Sequence, residues 1–163
     1  MKIALFHDFL IEKGGGERVI NIFTNFFKAT ILTSFYLSSY TYEEFEKKKI
    51  IHCKFFLNRY LIKHRILKIL RSFMLFDKQM KNIAKIINKN FDVSLFSGFY
   101  SIYSTKFIEI PKIYYIQAEP INIALSRNGE SGFLFDIYRK VYRSFVYKNE
   151  KTSLLKMDKI IAN

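Results

Sequence analysis

Three consecutive glycines, Gly14, Gly15 and Gly16, separate an apolar run from a segment with helical periodicity. Only six glycines occur among the 163 residues, so half of them are concentrated in this one turn. Such a turn lets backbone N–H groups approach a ligand closely, and the positive end of the following helix favours an anion. A tight turn without a ligand also takes glycine, for steric reasons alone. Both interpretations stay open on the residues.

The spacing around the turn excludes two familiar phosphate-binding motifs. The pattern G-x-G-x-x-G is absent, and no Gly-Lys-Ser/Thr follows the glycines.

Two residues that flank the glycine turn are candidates for a site. His7 follows the first predicted strand and either lines a cleft or is a hydrogen-bonded structural histidine. Arg18 lies in the first turn of the predicted helix, where an exposed arginine without a ligand is the alternative.

The elements that would position these residues alternate along the chain. Short apolar runs predict strands at residues 3–6, 30–34, Ile50–His52, Val93–Ser97, Lys112–Ile116 and Lys159–Ala162. Helical periodicity starts at residue 16 and recurs over 57–76, after residue 77 and over 134–156. In the first helix, one apolar face is predicted from Val19, Ile20, Phe23, Phe26 and Phe27. The alternation predicts one α/β domain over residues 1–163, a Rossmann-like three-layer sandwich with a mostly parallel sheet.

In such a sheet, ligands bind beyond the carboxyl ends of the strands. Ser97 and Gly98 end one predicted strand and Gln117 follows the next, so we expect them to meet the glycine turn at one rim. A simple turn is the alternative for Ser97 and Gly98. Gln117 has both hydrogen-bond donors and an acceptor but no acid–base function near neutral pH, so its expected role is positioning. Glu119 is a further candidate for a polar contact.

The chain is strongly basic, with a net charge of +13. Between residues 54 and 89, ten Lys or Arg stand against a single acid. This balance suggests a polyanionic partner, and the basic amphipathic helix predicted over 57–76 suits an anionic membrane surface. The candidate membrane-binding residues are Arg59, Lys63, Arg65, Lys68 and Arg71. A solvated basic face is the alternative. Nucleic-acid binding is not favoured, because no recognised motif accompanies the charge.

Cysteine content and hydropathy restrict the setting. Cys53 is the single cysteine, so an intrachain disulfide is excluded and a reducing cytoplasmic location is the natural expectation. No stretch is long and apolar enough to predict a transmembrane helix. The N-terminus does not have the pattern of a signal peptide.

The opening MKIALFHDFLIEKGGGERVI resembles the start of family 4 glycosyltransferases with the GT-B fold. In that family, a His-Asp-aromatic-Leu element follows the first strand, and a Gly-Gly-x-Glu-Arg turn leads into the first helix. Matches at the level of pattern continue with FDVSLFSG, KIYYIQAEP and LLKMDKIIAN, so the resemblance extends along nearly the whole chain. It implies that the chain is the N-terminal, acceptor-side half of a GT-B enzyme.

The resemblance also implies a chemistry. Such enzymes transfer a sugar from a nucleotide-diphospho-sugar, usually with retention, and need neither a metal nor a covalently bound cofactor. The acceptor is expected to be a lipid-linked or envelope glycan, with the glycine turn near the donor phosphates. Gln117 stands where many members have a histidine close to the transferred sugar. The donor domain is not among these residues, so we expect the chain to need a separate donor domain or second subunit and to be inactive alone. The alternative is a non-catalytic basic module that binds anionic membrane or another polyanion.

Overall fold

A computed structural model of the chain describes residues 1–52, 75–76, 80–117 and 149–162. The strands are β1 (Ile3–Leu10), β2 (Thr30–Tyr36), β3 (Ile50–His52), β4 (Val93–Ser97), β5 (Lys112–Ile116) and β6 (Lys159–Ala162). The α-helices with described bounds are α1 (Gly15–Phe27) and α2 (Met80–Asn90). Short 3-10 helices span Ser38–Tyr40, Glu43–Lys47 and Ser101–Phe107. Residues 149–154 are helical and lead towards β6.

The six strands form one parallel sheet in the order β3-β2-β1-β4-β5-β6. The strand β1 lies between β2 and β4, and its residues Ala4, Leu5 and Phe6 are fully buried. Continuous apolar runs of this kind are typical of strands that are covered on both faces. The predicted α/β class with a Rossmann-like parallel sheet is confirmed.

A separate apolar core covers each face of the sheet. On one face, Ile20 of α1 packs with Leu5, Ile31 and Leu95. On the other face, α2 and the 3-10 helix Ser101–Phe107 cover Phe6 and Phe96, whose rings stack with centroids 4.6 Å apart. Alternate residues of one strand thus enter different cores, as the period of two in a strand requires.

The first strand is four residues longer than the 3–6 predicted from its apolar run. It continues through His7 and Asp8 because β4 pairs with it as far as His7 and β2 pairs with it as far as Leu10. Pairing with the neighbouring strands overrides the local polarity of these two residues. His7 and Asp8 therefore lie inside the central strand, at its carboxyl-terminal half.

The apolar face predicted for the first helix is only partly correct. The buried residues of α1 are Glu17, Ile20 and Thr24, whereas Phe26 is 79% exposed. At about 100° per residue, the six positions from Ile20 to Phe26 rotate the side chain by roughly 240°, away from the sheet. Phe27 is 37% exposed, at the helix end where Lys28 adopts a left-handed conformation.

Two further features differ from the sequence analysis. The largely polar segment 40–49, in which the sequence shows neither strand nor helix periodicity, contains a 3-10 helix whose Phe45 is fully buried in a core. The 3-10 helix Ser101–Phe107 was not predicted, because no helical periodicity is legible over seven residues.

Several predicted segments lie outside the described residues. They are the bulk of the basic amphipathic helix predicted over 57–76 and the first part of the helix predicted over 134–156. Within the described ranges, no helix combines the length and apolar character needed to cross a membrane.

Candidate functional site

A cleft of about 230 Å³ opens where β1, β4 and β5 end and α1 begins. Its walls contain most of the residues proposed from the sequence, together with several that were not. It is lined by His7, Asp8, Phe9, Glu12, Gly14, Gly15, Gly16, Glu17, Gly98, Phe99, Tyr114 and Gln117. The expected convergence of strand ends on the glycine turn is therefore present in the structure.

His7 is 7% exposed and contributes its imidazole to the cleft wall. Its Nδ1 is hydrogen-bonded to the carbonyl oxygen of Ser97 on the neighbouring strand. A carbonyl only accepts, so Nδ1 bears the proton and donates it, which leaves Nε2 as an acceptor in the neutral ring. Burial lowers the pKa of His7 to about 4, and the bond to Ser97 only partly opposes this. The imidazole is therefore neutral at pH 7.

Asp8 anchors the loop that follows β4. Its carboxylate accepts backbone N–H bonds from Phe99 at 2.7 Å, from Tyr100 at 3.0 Å and from Ser101 at 2.8 Å. These donors include the start of the 3-10 helix Ser101–Phe107, where unpaired N–H groups favour a negative charge. Burial raises the pKa of Asp8 to about 6 despite these bonds. The side chain has a structural role, since it fixes one wall of the cleft.

Gln117 connects three parts of the cleft. Its Nε2 donates to the hydroxyl oxygen of Ser97, which is fully buried behind the cleft wall. Its Oε1 lies 3.0 Å from the position that a Cβ on Gly16 would occupy. His7 Cε1 lies 3.8 Å from the same position. A Cβ at Gly16 would therefore press against the Gln117 amide oxygen, whereas its contact with His7 would be an ordinary one.

The glycines of the turn do not serve unusual backbone angles. Among the described glycines none has a positive φ. A Cβ on Gly14 would lie 2.7 Å from Oε2 of Glu17, whereas a Cβ on Gly15 would meet no atom within 4 Å. Gly14 is the N-cap of α1, and its carbonyl accepts the Arg18 N–H at 3.1 Å. Gly15 therefore borders the open cleft, whereas an added Cβ at Gly14 or Gly16 would meet a neighbouring side chain.

Glu17 already supplies a negative charge to the start of α1. It is the third residue of the helix and only 4% exposed, with its carboxylate beside Gly14. An acidic side chain there is stabilised by the helix dipole and by backbone N–H groups of the first turn. Glu17 therefore places a carboxyl group at the positive end of α1.

Gly98 is the most tightly constrained of the described glycines. A Cβ at this position would approach Oδ1 of Asp8 to 2.4 Å and its carboxyl carbon to 2.6 Å. Only a glycine lets the chain leave β4 so close to the buried carboxylate. The proposed binding residue Gly98 is thus explained by packing, although its backbone also lines the cleft.

The described part of the cleft wall is acidic. Asp8, Glu12 and Glu17 contribute carboxyl groups, and no Lys or Arg occurs among the described lining residues. This contrasts with the net charge of +13 for the whole chain. Phe9, Phe99 and Tyr114 add aromatic surface to the same wall.

Two groups of candidate residues are not part of this wall. Arg18 is exposed and does not line the cleft. Glu119 and the candidate membrane-binding residues Arg59, Lys63, Arg65, Lys68 and Arg71 lie outside the described residues.

Six lining residues were not among the site residues predicted from the sequence, namely Asp8, Phe9, Glu12, Glu17, Phe99 and Tyr114. Asp8 could have been identified, because a buried acid inside an apolar strand needs several hydrogen-bond donors. Phe99 and Tyr114 show no local signal, since their position depends on the pairing of β4 with β5.

Within the described ranges, no cluster of three His, Cys, Asp or Glu side chains could hold a metal ion.

Comparison with family models, curated proteins and solved structures gave no match for this chain.

Proposed function

We propose that this chain binds the acceptor in a sugar-transfer reaction, as the acceptor-side half of a retaining GT-B glycosyltransferase. The nucleotide-diphospho-sugar is held by a different domain or subunit, and the acceptor is a lipid-linked or envelope glycan. The proposal rests on the resemblance of the opening motif. The observation that supports it best is the cleft, where residues of that motif, His7 and Gly14 to Gly16, meet Gln117, which directly follows β5.

The composition of the cleft agrees with this function. Aromatic rings suit the apolar C–H face of a sugar, and His7 and Gln117 offer hydrogen-bonding groups for its hydroxyls. At about 230 Å³, the cleft is smaller than the roughly 300–1,000 Å³ usual for drug-sized ligands, so it suits one sugar ring rather than a nucleotide sugar.

Isothermal titration calorimetry on the chain tests this function. Lipid-linked and envelope-type oligosaccharides should bind, whereas nucleotide-diphospho-sugars should give no heat of binding. A parallel transfer assay should show no turnover when only the chain, a nucleotide sugar and an acceptor are mixed. Turnover without a second protein, or the absence of binding to every glycan, would contradict the proposal.

A second candidate, binding to anionic membrane without catalysis, is favoured by the outer face of α1. Ile22 is 57% exposed and Phe26 is 79% exposed, and with the exposed Arg18 they form a stripe at a spacing of four residues. Basic and aromatic side chains on one helix face are typical of interfacial binding. Flotation with phosphatidylglycerol vesicles tests it. Binding should exceed that to phosphatidylcholine vesicles and fall when Ile22 and Phe26 are both replaced by serine, and equal binding to both lipids would exclude it.

A further inference from the structure

Ser97, the last residue of β4, holds two side chains of the cleft wall from behind. It is fully buried and is not among the described residues that line the cleft. It pairs with His7 across the sheet, and its carbonyl oxygen accepts the hydrogen bond from Nδ1 of that ring. Its hydroxyl oxygen accepts a second hydrogen bond, from Nε2 of Gln117. One buried residue is therefore bonded to a side chain of β1 and to one that follows β5.

The bond to Ser97 determines which end of the Gln117 amide faces the glycine turn. The amide nitrogen has the donors and the amide oxygen is the acceptor, and the nitrogen points to Ser97. The oxygen Oε1 then lies beside Gly16, 3.0 Å from the position that a Cβ there would occupy. The terminal torsion of a glutamine has little preference of its own, so a fixed orientation needs such a bond.

The two contacts of Ser97 use different parts of the residue. The bond to His7 is made by the backbone carbonyl, whereas the bond to Gln117 is made by the side chain. Ser97→Ala therefore removes the second bond and keeps the first. Because Ser97 is shielded from solvent, bulk water does not simply replace the lost partner.

We propose that Ser97 is a positioning residue for ligand binding in the cleft, and that its hydroxyl acts by holding the Gln117 amide with Oε1 towards the glycine turn. The inference rests on the proposed function, since it concerns the same cleft. It changes the role of Ser97 from a residue expected to touch the acceptor to one behind the contact surface. Gln117 then presents its amide oxygen at a fixed place, which lowers the entropy cost of binding a hydrogen-bond donor there.

Nuclear magnetic resonance of the glutamine side chains tests the contact without a ligand. The chain contains only two glutamines, Gln79 and Gln117, and Gln117→Ala identifies the signal of residue 117. In the parent, the Gln117 amide protons should show a nuclear Overhauser contact to Ser97. Ser97→Ala should raise their exchange rate with solvent about threefold to tenfold, the effect of one hydrogen bond, and leave the Nδ1 proton of His7 unchanged.

Ser94→Ala is the matched control for this measurement. Ser94 is also fully buried on β4, and its hydroxyl donates to the carbonyl oxygen of Pro111 at 2.9 Å, away from the described cleft wall. This variant loses a hydroxyl as well, but the exchange of the Gln117 amide should stay as in the parent. Equal exchange rates in the parent and Ser97→Ala overturn the inference. If Ser97→Ala does not fold, the Overhauser contact in the parent decides, and its absence overturns the inference.

A double-mutant cycle with Gly16→Ala gives a readout that a general loss of stability does not change. The added Cβ would lie 3.0 Å from Oε1, so Gln117 has to give way and its bond to Ser97 is disturbed. In Ser97→Ala the amide can move aside without losing that bond. The decrease in Tm caused by Gly16→Ala should therefore be less than about half as large in Ser97→Ala as in the parent. Equal decreases in the two backgrounds would show that Ser97 does not hold the amide.

Calorimetry with the same lipid-linked and envelope-type oligosaccharides connects the contact with binding. Ser97→Ala should bind them about threefold to tenfold more weakly than the parent, whereas Ser94→Ala should bind them as the parent does. If Ser97→Ala frees the Gln117 amide but keeps the affinity of the parent, the inference fails and the proposed function stands. If no oligosaccharide binds to the parent, the proposed function fails, and the role of Ser97 in binding fails with it.

Discussion

At the scale of single residues, His7 is the group whose chemistry is best defined. The carbonyl of Ser97 fixes the proton on Nδ1, and burial keeps the ring neutral by lowering its pKa to about 4. A group whose folded pKa lies below its unfolded value contributes stability above the unfolded pKa, here 6.5. That contribution is lost as the pH falls through the window from 6.5 to about 4.

Urea denaturation at several pH values tests this linkage. A pKa difference of about 2.5 corresponds to roughly 3 kcal/mol of free energy of unfolding. The stability advantage of the parent over His7→Asn should therefore shrink by that amount between pH 7 and pH 4. The raised pKa of Asp8 acts in the opposite direction, but it is present in both proteins and largely cancels in the comparison. A constant advantage across this range would show that His7 is not held neutral.

The carboxylate of Asp8 makes Gly98 the residue most sensitive to a small substitution. In Gly98→Ala the added Cβ would lie 2.4 Å from Oδ1, so Asp8 has to move and its backbone hydrogen bonds weaken. We expect a loss of roughly 2–4 kcal/mol in the free energy of unfolding, measured by chemical denaturation.

Gly15→Ala is the matched control, because no atom lies within 4 Å of its added Cβ and φ is not positive. Its stability should stay the same or rise by up to about 1 kcal/mol, since alanine restricts the unfolded chain. Similar losses in the two variants would contradict the packing described for Gly98.

At the scale of elements, the sequence predicted where the strands lie better than where they end. The apolar runs located all six strands, because a parallel sheet buried on both faces needs them. The end of β1 could not be predicted from the sequence, since it depends on pairing with β4 as far as His7 and with β2 as far as Leu10. The rim formed by Ser97, Gly98 and Gln117 followed from topology alone.

The features that could not be predicted from the sequence depend on contacts between distant parts of the chain. The three N–H donors that hold Asp8 come from residues more than 90 positions away. The burial of Phe45 likewise results from the tertiary placement of a short 3-10 helix. In α1 the sequence shows many apolar residues, but it does not say which of them face the sheet.

A pair of substitutions in α1 tests the assigned faces. Ile20→Ala removes a fully buried side chain and should cost about 2–4 kcal/mol of unfolding free energy. Phe26→Ser changes a ring that is 79% exposed and contacts Phe27 at 4.9 Å between centroids, so it should cost less than about 1 kcal/mol. Thermal denaturation of both variants measures the difference, and an equal loss would reverse the assignment.

At the scale of the whole molecule, the charge distribution separates two surfaces. The chain has a net charge of +13, yet the described wall of the cleft has three carboxyl groups and no Lys or Arg. Any interaction with an anionic surface must therefore use basic residues outside this wall. The proposed binding of a neutral sugar in the cleft would not depend on them.

Salt dependence distinguishes these two surfaces. Raising the salt concentration from 50 to 500 mM should change the affinity for a neutral glycan by less than about twofold, because no ion pair is screened. Binding to anionic vesicles, if it occurs, should weaken at least about tenfold over the same range. A glycan affinity that falls steeply with salt would indicate that charged groups dominate the cleft.

The measurement that tests the central claim most directly is the affinity of an uncharged acceptor glycan for the parent chain, Gly15→Ala and Gly15→Leu. Gly15 borders open space and lines the cleft, so a leucine there should fill the site without disturbing the fold. We expect all three proteins to fold with similar stability, and we expect Gly15→Leu to lose glycan binding at least about tenfold relative to Gly15→Ala. Unchanged binding in a folded Gly15→Leu protein would contradict the assignment of this cleft to the acceptor sugar.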